Sequence, residues 1–368
     1  MKMKNSEKGK YLGDQLSSSA KIKETIDERV AKGYGVVSEI LAILDEIPLG
    51  KYKLEIGLKL RQAMLLNGVL YNSEAWHAVK KDDIKPLERV DECLLRSLLQ
   101  SHPKTPIEFL YLETGSISIS HIIASRRMMY LRTILCREDE ELTKRIYREQ
   151  EKNTTKGDFT ELVKDNFTKY NIQYNEASIV SMKYEQYKDI IKKKVKETAF
   201  NELKTKQESH SKVNKIVYNS LEKQLYLVSP IFTNEDLEVL VNLRSHTTRG
   251  IRTNFKQLYK NDLSCPLVCW PADGTHVQDS QQHLLVCRKL ELNKSTVATE
   301  KIVIDDIYGT VNQQKAVATA MKELFSERNR LLEKMPTSGC NHWTLAPQGA
   351  VQAQLNTVNN NCGVCFGT

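Results

Sequence analysis

Apolar residues recur every three or four positions along much of this chain, and that spacing constrains its fold more than any other feature of the sequence. One helical face is predicted at positions i, i+3, i+4 and i+7, which hold Val37, Ile40, Leu41 and Leu44. The same spacing predicts a second helix through Leu54, Leu58, Leu65 and Val69, and a third through Leu87, Val90, Leu94 and Leu98. Such stripes bury themselves against one another. The sequence therefore predicts a mainly α-helical protein, with a helical domain over residues 20–135.

The chain becomes more charged after residue 135. Helical stretches continue, including a lysine-rich run from Lys188 to Lys206, whose favoured interpretation is a solvated helix face. We predict a basic helical connector over residues 136–262 and a C-terminal helix region over residues 291–334. That last region has an apolar side formed by Met321, Leu324, Phe325, Leu331 and Leu332. Residues 335–368 contain no Asp, Glu, Lys or Arg and show no period, so we predict a disordered tail.

The overall composition bears on the partners and the cellular location that we expect for this chain. The chain has 368 residues and a net charge of +8, which favours polyanionic partners. It has no run of 18 apolar residues and no apolar stretch behind its charged N-terminus, so the sequence predicts neither a membrane span nor a secretory signal. We therefore expect an intracellular protein, nuclear or cytoplasmic, with no membrane partner. Its thiols are then reduced, and clustered cysteines indicate a metal site more than disulfides.

Cysteines and histidines concentrate between residues 263 and 290. Cys265 and Cys269 can place two thiolates on one turn, and His283 and Cys287 share a face if their segment is helical, since they are four residues apart. Either Asp279 or Ser280 could cap such a helix. Three thiolates and one imidazole close a tetrahedron around Zn²⁺ and leave no open position. We therefore predict a small knuckle with one structural zinc ion, bound by Cys265, Cys269, His283 and Cys287.

Other interpretations of these residues stay open. His276 is a rival ligand, although it lies in a loop after Gly274 and has no partner four residues on. Without a metal, the alternative is two buried free thiols and an ordinary surface histidine. A second set in the uncharged tail is disfavoured, because no helix braces its members Cys340, His342, Cys362 and Cys365.

A basic stretch precedes the cysteines, and the sequence has no acidic residue between Val239 and Asn261. Its cations are Arg244, Arg249, Arg252, Lys256 and Lys260. On a helix capped by Thr247 or Thr248, the last four would fall within an arc of about 80° at 100° per residue. Ile251, Phe255 and Leu258 would then lie on the opposite side. We predict that the five cations contact nucleic-acid phosphates; the alternative is a solvated basic face.

Six phrases of the sequence, taken in their order, resemble the C-terminal portion of the reverse transcriptase of non-long-terminal-repeat retrotransposons. They are KYLGDQLSSS, RVAKGYGVVSEI, LLNGVLYNSEAW, LERVDECLLRSLL, TPIEFLYLETGSISISHIIASRRMMYL and DSQQHLLVC, and the resemblance covers roughly residues 8–330. It implies that residues 1–19 end a palm, residues 20–135 form a helical thumb, and residues 263–290 form a Cys-Cys-His-Cys knuckle. The family's histidine lies in the HLLxC phrase, which matches His283. The departure is CPLVC, where the family more often has two residues between the cysteines.

The family's polymerase carboxylates, which hold two metal ions, belong upstream of the KYLG phrase. Here ten residues precede Tyr11. Asp82 and Asp83 are predicted at a helix start, and Asp305 and Asp306 come after the knuckle and lack the family's preceding aromatic residue. We therefore expect a truncated fragment without catalytic residues or a small-molecule substrate, which binds RNA or DNA through the phosphate backbone. The alternative is an inert or domesticated helical scaffold with no nucleic-acid role.

Overall fold

The computed structural model describes residues 8–11, 14–17, 22–47, 53–76, 80–248, 251, 278–286 and 304–334 of the chain. The predicted disordered tail, 335–368, and most of the predicted knuckle lie outside these residues. Within them the protein is mainly helical, as the apolar spacing predicts. None of the described helices combines the length and the apolar composition that a bilayer span requires.

The first described elements form a hairpin. Strand β1 (Lys8–Tyr11) pairs with strand β2 (Asp14–Ser17) in antiparallel register, with Tyr11 opposite Asp14. The helices up to residue 135 are α1 (Ile22–Glu46), α2 (Lys53–Leu60), α3 (Asn67–Val69), α4 (Lys81–Leu98), α5 (Ile107–Thr114) and α6 (Ile119–Leu135). A π-helical segment, Arg61–Leu66, joins α2 to α3, and a 3₁₀ turn, Ser73–Ala75, follows.

The later helices are α7 (Leu142–Lys152), α8 (Phe159–Lys169), α9 (Glu176–Ser181), α10 (Tyr184–Glu208), α11 (Leu225–Val228), α12 (Asn234–Arg244), α13 (Gln281–Val286) and α14 (Val311–Lys334). A 3₁₀ turn, Ile304–Tyr308, precedes α14. The lysine-rich run from Lys188 to Lys206 forms most of α10. Tyr187, Ile191, Val195, Ala199 and Leu203 recur every fourth position and are buried, whereas Lys192, Lys193 and Lys206 are exposed. These three lysines lie on the exposed side of the helix, which is consistent with the predicted solvated face.

Three hydrophobic clusters organise the described helices. The first joins α1, the α2–α3 run, α4 and the start of α6, and it buries the predicted residues Val37, Ile40, Leu44, Leu87, Val90 and Leu94. In the second, most of α6 packs against α8, α9 and the first half of α10. The third joins the end of α4, the end of α10, and helices α5, α11, α12, α13 and α14, and it includes Met321 and Leu324. The helical stripes of the sequence are therefore core faces.

The start of α4 confirms the placement of one acidic pair. Asp82 and Asp83 lie in the first turn of the helix, and Asp83 Oδ2 accepts a hydrogen bond from the backbone N–H of Lys80 at 2.9 Å. Acids at this end satisfy free N–H groups and complement the helix dipole. These two carboxylates lie at the start of a helix, as the sequence predicts.

Candidate nucleic-acid interface and metal ligand

Helix α12 carries the residues around which the candidate site is built. Thr233 caps it, because Thr233 Oγ1 accepts from the N–H of Asp236 at 3.2 Å and Asp236 Oδ2 accepts from the N–H of Thr233 at 2.8 Å. Asp236 is buried, which alone would raise its pKa. Hydrogen bonds from Lys315 and Lys322 of α14 outweigh the burial and hold that pKa at about 2. The start of α12 is thereby held by two ion pairs against α14.

Arg244 ends α12 inside the protein, with 3% of its surface exposed. Its Nε and Nη2 atoms donate to Glu113 Oε1 at 3.1 and 2.9 Å, and its Nη1 atom donates to the carbonyl of Ile307 at 2.7 Å. The rings of Tyr226 and Tyr308 lie 5.1 and 5.4 Å from the guanidinium carbon. This burial corrects the prediction that Arg244 contacts phosphate: the charge is neutralised by Glu113 and the group is closed to a ligand.

The remaining predicted phosphate contacts, Arg249, Arg252, Lys256 and Lys260, lie outside the described residues. Of the predicted apolar side of their segment, Ile251 is described and is buried. Thr248 Oγ1, a predicted helix cap, accepts from Gln281 Nε2 at 3.2 Å. Thr247 Oγ1 shares hydrogen bonds with Ser245 Oγ and Thr105 Oγ1 at 2.6 and 3.1 Å. The described threonines therefore anchor the beginning of the basic stretch to the core.

A group of basic side chains that the sequence does not predict lies near the end of α12. We call Lys104, Lys212, Lys215 and His246 the basic cluster. Burial lowers the pKa of Lys212, and the charge of Lys104 lowers it further. Burial, then the charges of Lys215 and Lys212, lower the pKa of His246. These effects place Lys104 within electrostatic reach of Lys212, and both Lys212 and Lys215 within reach of His246.

The basic cluster is drawn from three parts of the sequence: the loop with Lys104, the turn with Lys212 and Lys215, and the end of α12 with His246. Asn242 of α12 holds the loop that carries Lys104, because its Oδ1 atom accepts from the N–H of His102 at 3.2 Å and its Nδ2 atom donates to the carbonyl of Gln100 at 3.3 Å. These contacts span 140 and 142 residues. No local pattern brings Lys104 and His246 together with Lys212 and Lys215, so only the tertiary structure finds the cluster.

Helix α13 carries the predicted metal ligand His283. Of the two predicted caps, Ser280 is the one observed, since its Oγ atom accepts from the N–H of His283 at 3.0 Å. Asp279 is instead buried in an ion pair with Arg328 of α14, at 2.8 Å. Gln281 Nε2 donates to the carbonyl of Leu243 at 3.2 Å. Helix α13 is therefore fixed to the end of α12 on one side and to α14 on the other.

The imidazole of His283 suits a metal ligand. Its Nε2 atom is buried and has no hydrogen-bond partner in the described part of the chain. A buried ring nitrogen normally has a partner, and a coordinated zinc ion would be one. The other predicted ligands, Cys265, Cys269 and Cys287, and the rival His276, lie outside the described residues. Among the described residues, no three His, Cys, Asp or Glu side chains are grouped to hold a metal ion.

The comparison with known proteins gives no relative: no protein-family model, no curated protein and no solved structure matches this chain. The resemblance to retrotransposon reverse transcriptases therefore rests on the six phrases. In the structure four of them, over residues 29–40, 65–76, 87–99 and 105–131, lie largely in α1, the α2–α3 run, α4, α5 and α6. A fifth, 279–287, contains α13.

Proposed function

We propose that this chain binds RNA or DNA through the phosphate backbone, as the thumb, connector and zinc-knuckle portion of a reverse transcriptase of the non-long-terminal-repeat type. The observation that carries the proposal is the basic cluster at the end of α12. It lies directly before the stretch with Arg249, Arg252, Lys256 and Lys260, and beside the helix of His283. In the proposed role the chain holds nucleic acid and supplies no catalytic carboxylate.

Electrostatics supports a phosphate ligand at the basic cluster. Lys104 and Lys215 are exposed, and Lys212 and His246 are half-buried, so the group is open to solvent on one side. The positive charge of Lys104 lowers the pKa of Lys212, so the two ammonium groups repel each other, and an incoming phosphate relieves that repulsion. Lysine binds phosphate as a point charge and reads no base, so the expected binding is independent of sequence.

The proposed zinc ion has a structural part in this function. Cys265, Cys269, His283 and Cys287 would hold it, with His283 contributing its Nε2 atom. Such an ion closes a loop without offering an open position for catalysis. Because α13 is bound to α12 and α14, the ion would tie the cysteine-bearing segment to the helix that ends at the basic cluster.

The salt dependence of binding tests the proposal. The variant Lys104→Gln, Lys212→Gln, Lys215→Gln should weaken binding to mixed-sequence RNA and DNA alike. The slope of log K against log salt, measured by fluorescence anisotropy, should fall by roughly 0.7–0.9 for each phosphate that the variant no longer neutralises. Changing Arg249, Arg252, Lys256 and Lys260 to Gln should lower the slope further, for the same physical reason.

The matched control removes equal charge from another exposed face. Lys192→Gln, Lys193→Gln, Lys206→Gln changes three lysines of α10, and the slope should stay at its original value. Equal losses in both triple variants would mean that net charge alone attracts the nucleic acid. A folded protein without measurable affinity at low salt would favour the inert scaffold instead.

A further inference from the structure

A group of buried hydrogen-bond donors lies between the 3₁₀ turn Ser73–Ala75 and α6. Trp76, with 3% of its surface exposed, buries its Nε1 atom without a hydrogen-bond acceptor in the described part of the chain. Ser73 Oγ and Arg127 Nε are also buried, and neither has a hydrogen-bond partner among the described residues. Arg127 Nη2 donates to the carbonyl of Trp76 at 3.2 Å, which places its guanidinium against this turn. We call Ser73, Trp76 and Arg127 the donor cluster.

Arg127 differs from two other buried arginines, Arg61 and Arg244, in its counter-charge. Arg61 donates to both carboxylate oxygens of Asp91 at 2.6 and 2.7 Å, and Arg244 is paired with Glu113. Arg127 is 5% exposed, and burial lowers its pKa to about 10. Tyr170 is the one described group that raises that pKa, so no described carboxylate opposes the burial. The guanidinium stays protonated at neutral pH.

A buried positive charge without a counter-ion is unfavourable, and so is each buried donor without an acceptor. A negatively charged acceptor would compensate both, because it neutralises a cation and accepts hydrogen bonds from N–H and O–H donors. The three residues after Trp76, which lie outside the described part, are His, Ala and Val, so the adjoining sequence supplies no carboxylate. One anion with several acceptor atoms would satisfy the charge and the donors together.

We propose that the donor cluster binds the oxyanion of a phosphate group. Arg127 supplies the charge and its Nε donor, and Trp76 Nε1 and Ser73 Oγ donate to the remaining oxygens. A phosphate presents several strong acceptors, and a guanidinium meets it with charge-assisted hydrogen bonds. The phosphate can be free inorganic phosphate or a phosphodiester of a bound strand. The site uses none of the residues of the basic cluster, so it does not depend on the function proposed above.

Thermal unfolding with and without inorganic phosphate tests this site, with chloride added to equal ionic strength. A ligand that binds only the folded state raises the midpoint temperature with its concentration, and we expect that rise for the unaltered protein. Arg127→Met should abolish the rise. Without phosphate this variant should be at least as stable as the parent, because an apolar side chain of similar length replaces an uncompensated charge. A purely structural arginine would give the opposite sign.

The neighbouring arginine is the matched control. Arg126 also lies on α6 and donates to the same segment, at the carbonyl of Leu70 and at Asn67 Oδ1, but the charge of Glu74 acts on it. Arg126→Met should keep the phosphate-dependent rise. Trp76→Phe keeps an aromatic ring and deletes the Nε1 donor, so it should lose at least half of the rise. This second variant decides the question if Arg127→Met does not fold.

A short oligonucleotide at the same phosphate concentration distinguishes the two sources. Because it can also bind the basic cluster, the relevant quantity is the difference in its effect between the parent and Arg127→Met. A difference with both ligands identifies a general oxyanion site, and a difference with the oligonucleotide alone identifies a phosphodiester site. The proposal is overturned if the parent and Arg127→Met respond equally to both ligands, or if neither ligand raises the midpoint of the parent.

Discussion

Arg244 and Glu113 form an ion pair although they are 131 residues apart in the sequence. No local sequence pattern therefore indicates the pair. The Glu113 side chain is fully buried, and its Oε1 atom accepts from Arg244 and, at 2.6 Å, from the hydroxyl of Tyr218. Arg244→Ala would leave this carboxylate as an uncompensated buried charge. We expect a loss of about 3–5 kcal/mol in the free energy of unfolding, measured by urea denaturation.

The double variant Glu113→Gln, Arg244→Met is the control for that loss. It removes both charges together, so it should recover most of the stability that Arg244→Ala loses. Neither change should alter the salt slope of nucleic-acid binding, because Arg244 does not reach solvent. A lower slope in the folded double variant would return Arg244 to the set of phosphate contacts.

The zinc prediction also depends on single residues. His283→Ala should yield protein without zinc, since it deletes the buried Nε2 atom that has no other partner in the described part of the chain. His276→Ala should keep one zinc ion per chain. Metal analysis of the two purified variants makes the comparison directly. Full zinc in the His283 variant, or its loss in the His276 variant, would show that the ligand set is wrong.

At the scale of elements, the sequence predicts those features that depend on local spacing. The stripes of α1 and α4 follow from their period, and the structure confirms them as core faces; the buried side of α10 follows from the same period. The sequence does not predict the π-helical segment Arg61–Leu66, where Arg61 donates to Asp91. The sequence also predicts Arg244 on a basic surface. A run of basic residues gives no sign that one of them forms an ion pair with a distant glutamate. The basic cluster and the donor cluster also depend on contacts between distant parts of the sequence.

Gly115 ends α5 with a backbone that other residues adopt at a cost, since its φ angle is 64°. A Cβ atom there would lie 2.6 Å from the backbone nitrogen of Lys223, which pairs with Thr114 in an isolated bridge. We expect Gly115→Ala to lose at least about 1–2 kcal/mol of stability for the left-handed conformation. Displacement of the Lys223 segment would add to that loss. Urea denaturation measures it.

Gly35 offers the matched control within α1. A Cβ atom at that exposed position would meet nothing within 4 Å. Gly35→Ala should therefore stabilise the protein by roughly 0.5–1 kcal/mol, because alanine restricts the unfolded chain and favours a helix. Opposite signs in the two variants would confirm that the close approach at Gly115, and not the loss of glycine, causes the effect. Equal effects would contradict the described end of α5.

At the scale of the whole molecule, single helices join the three hydrophobic clusters in pairs. In α4, Leu94 belongs to the first cluster and Leu95 to the third. In α6, Ile123 belongs to the first and Ala124 to the second. In α10, Val195 belongs to the second and Ala199 to the third. Each pair of clusters therefore shares a continuous helix. If one cluster loses its packing, it exposes a face of a helix that also packs in another cluster.

This arrangement predicts that the described part of the chain unfolds as one cooperative unit, although chains above about 150 residues often unfold in steps. Trp76 lies in the first cluster, so Trp270→Phe, Trp343→Phe leaves one tryptophan that reports on it. The urea midpoint from its fluorescence should coincide with the midpoint from far-ultraviolet circular dichroism, which reports on all the helices. If fluorescence changes first, the cluster around α1 and α4 unfolds independently, and the shared helices do not couple it to the rest. Coincident midpoints would show that α4 and α6 transmit the loss of one core to the other two.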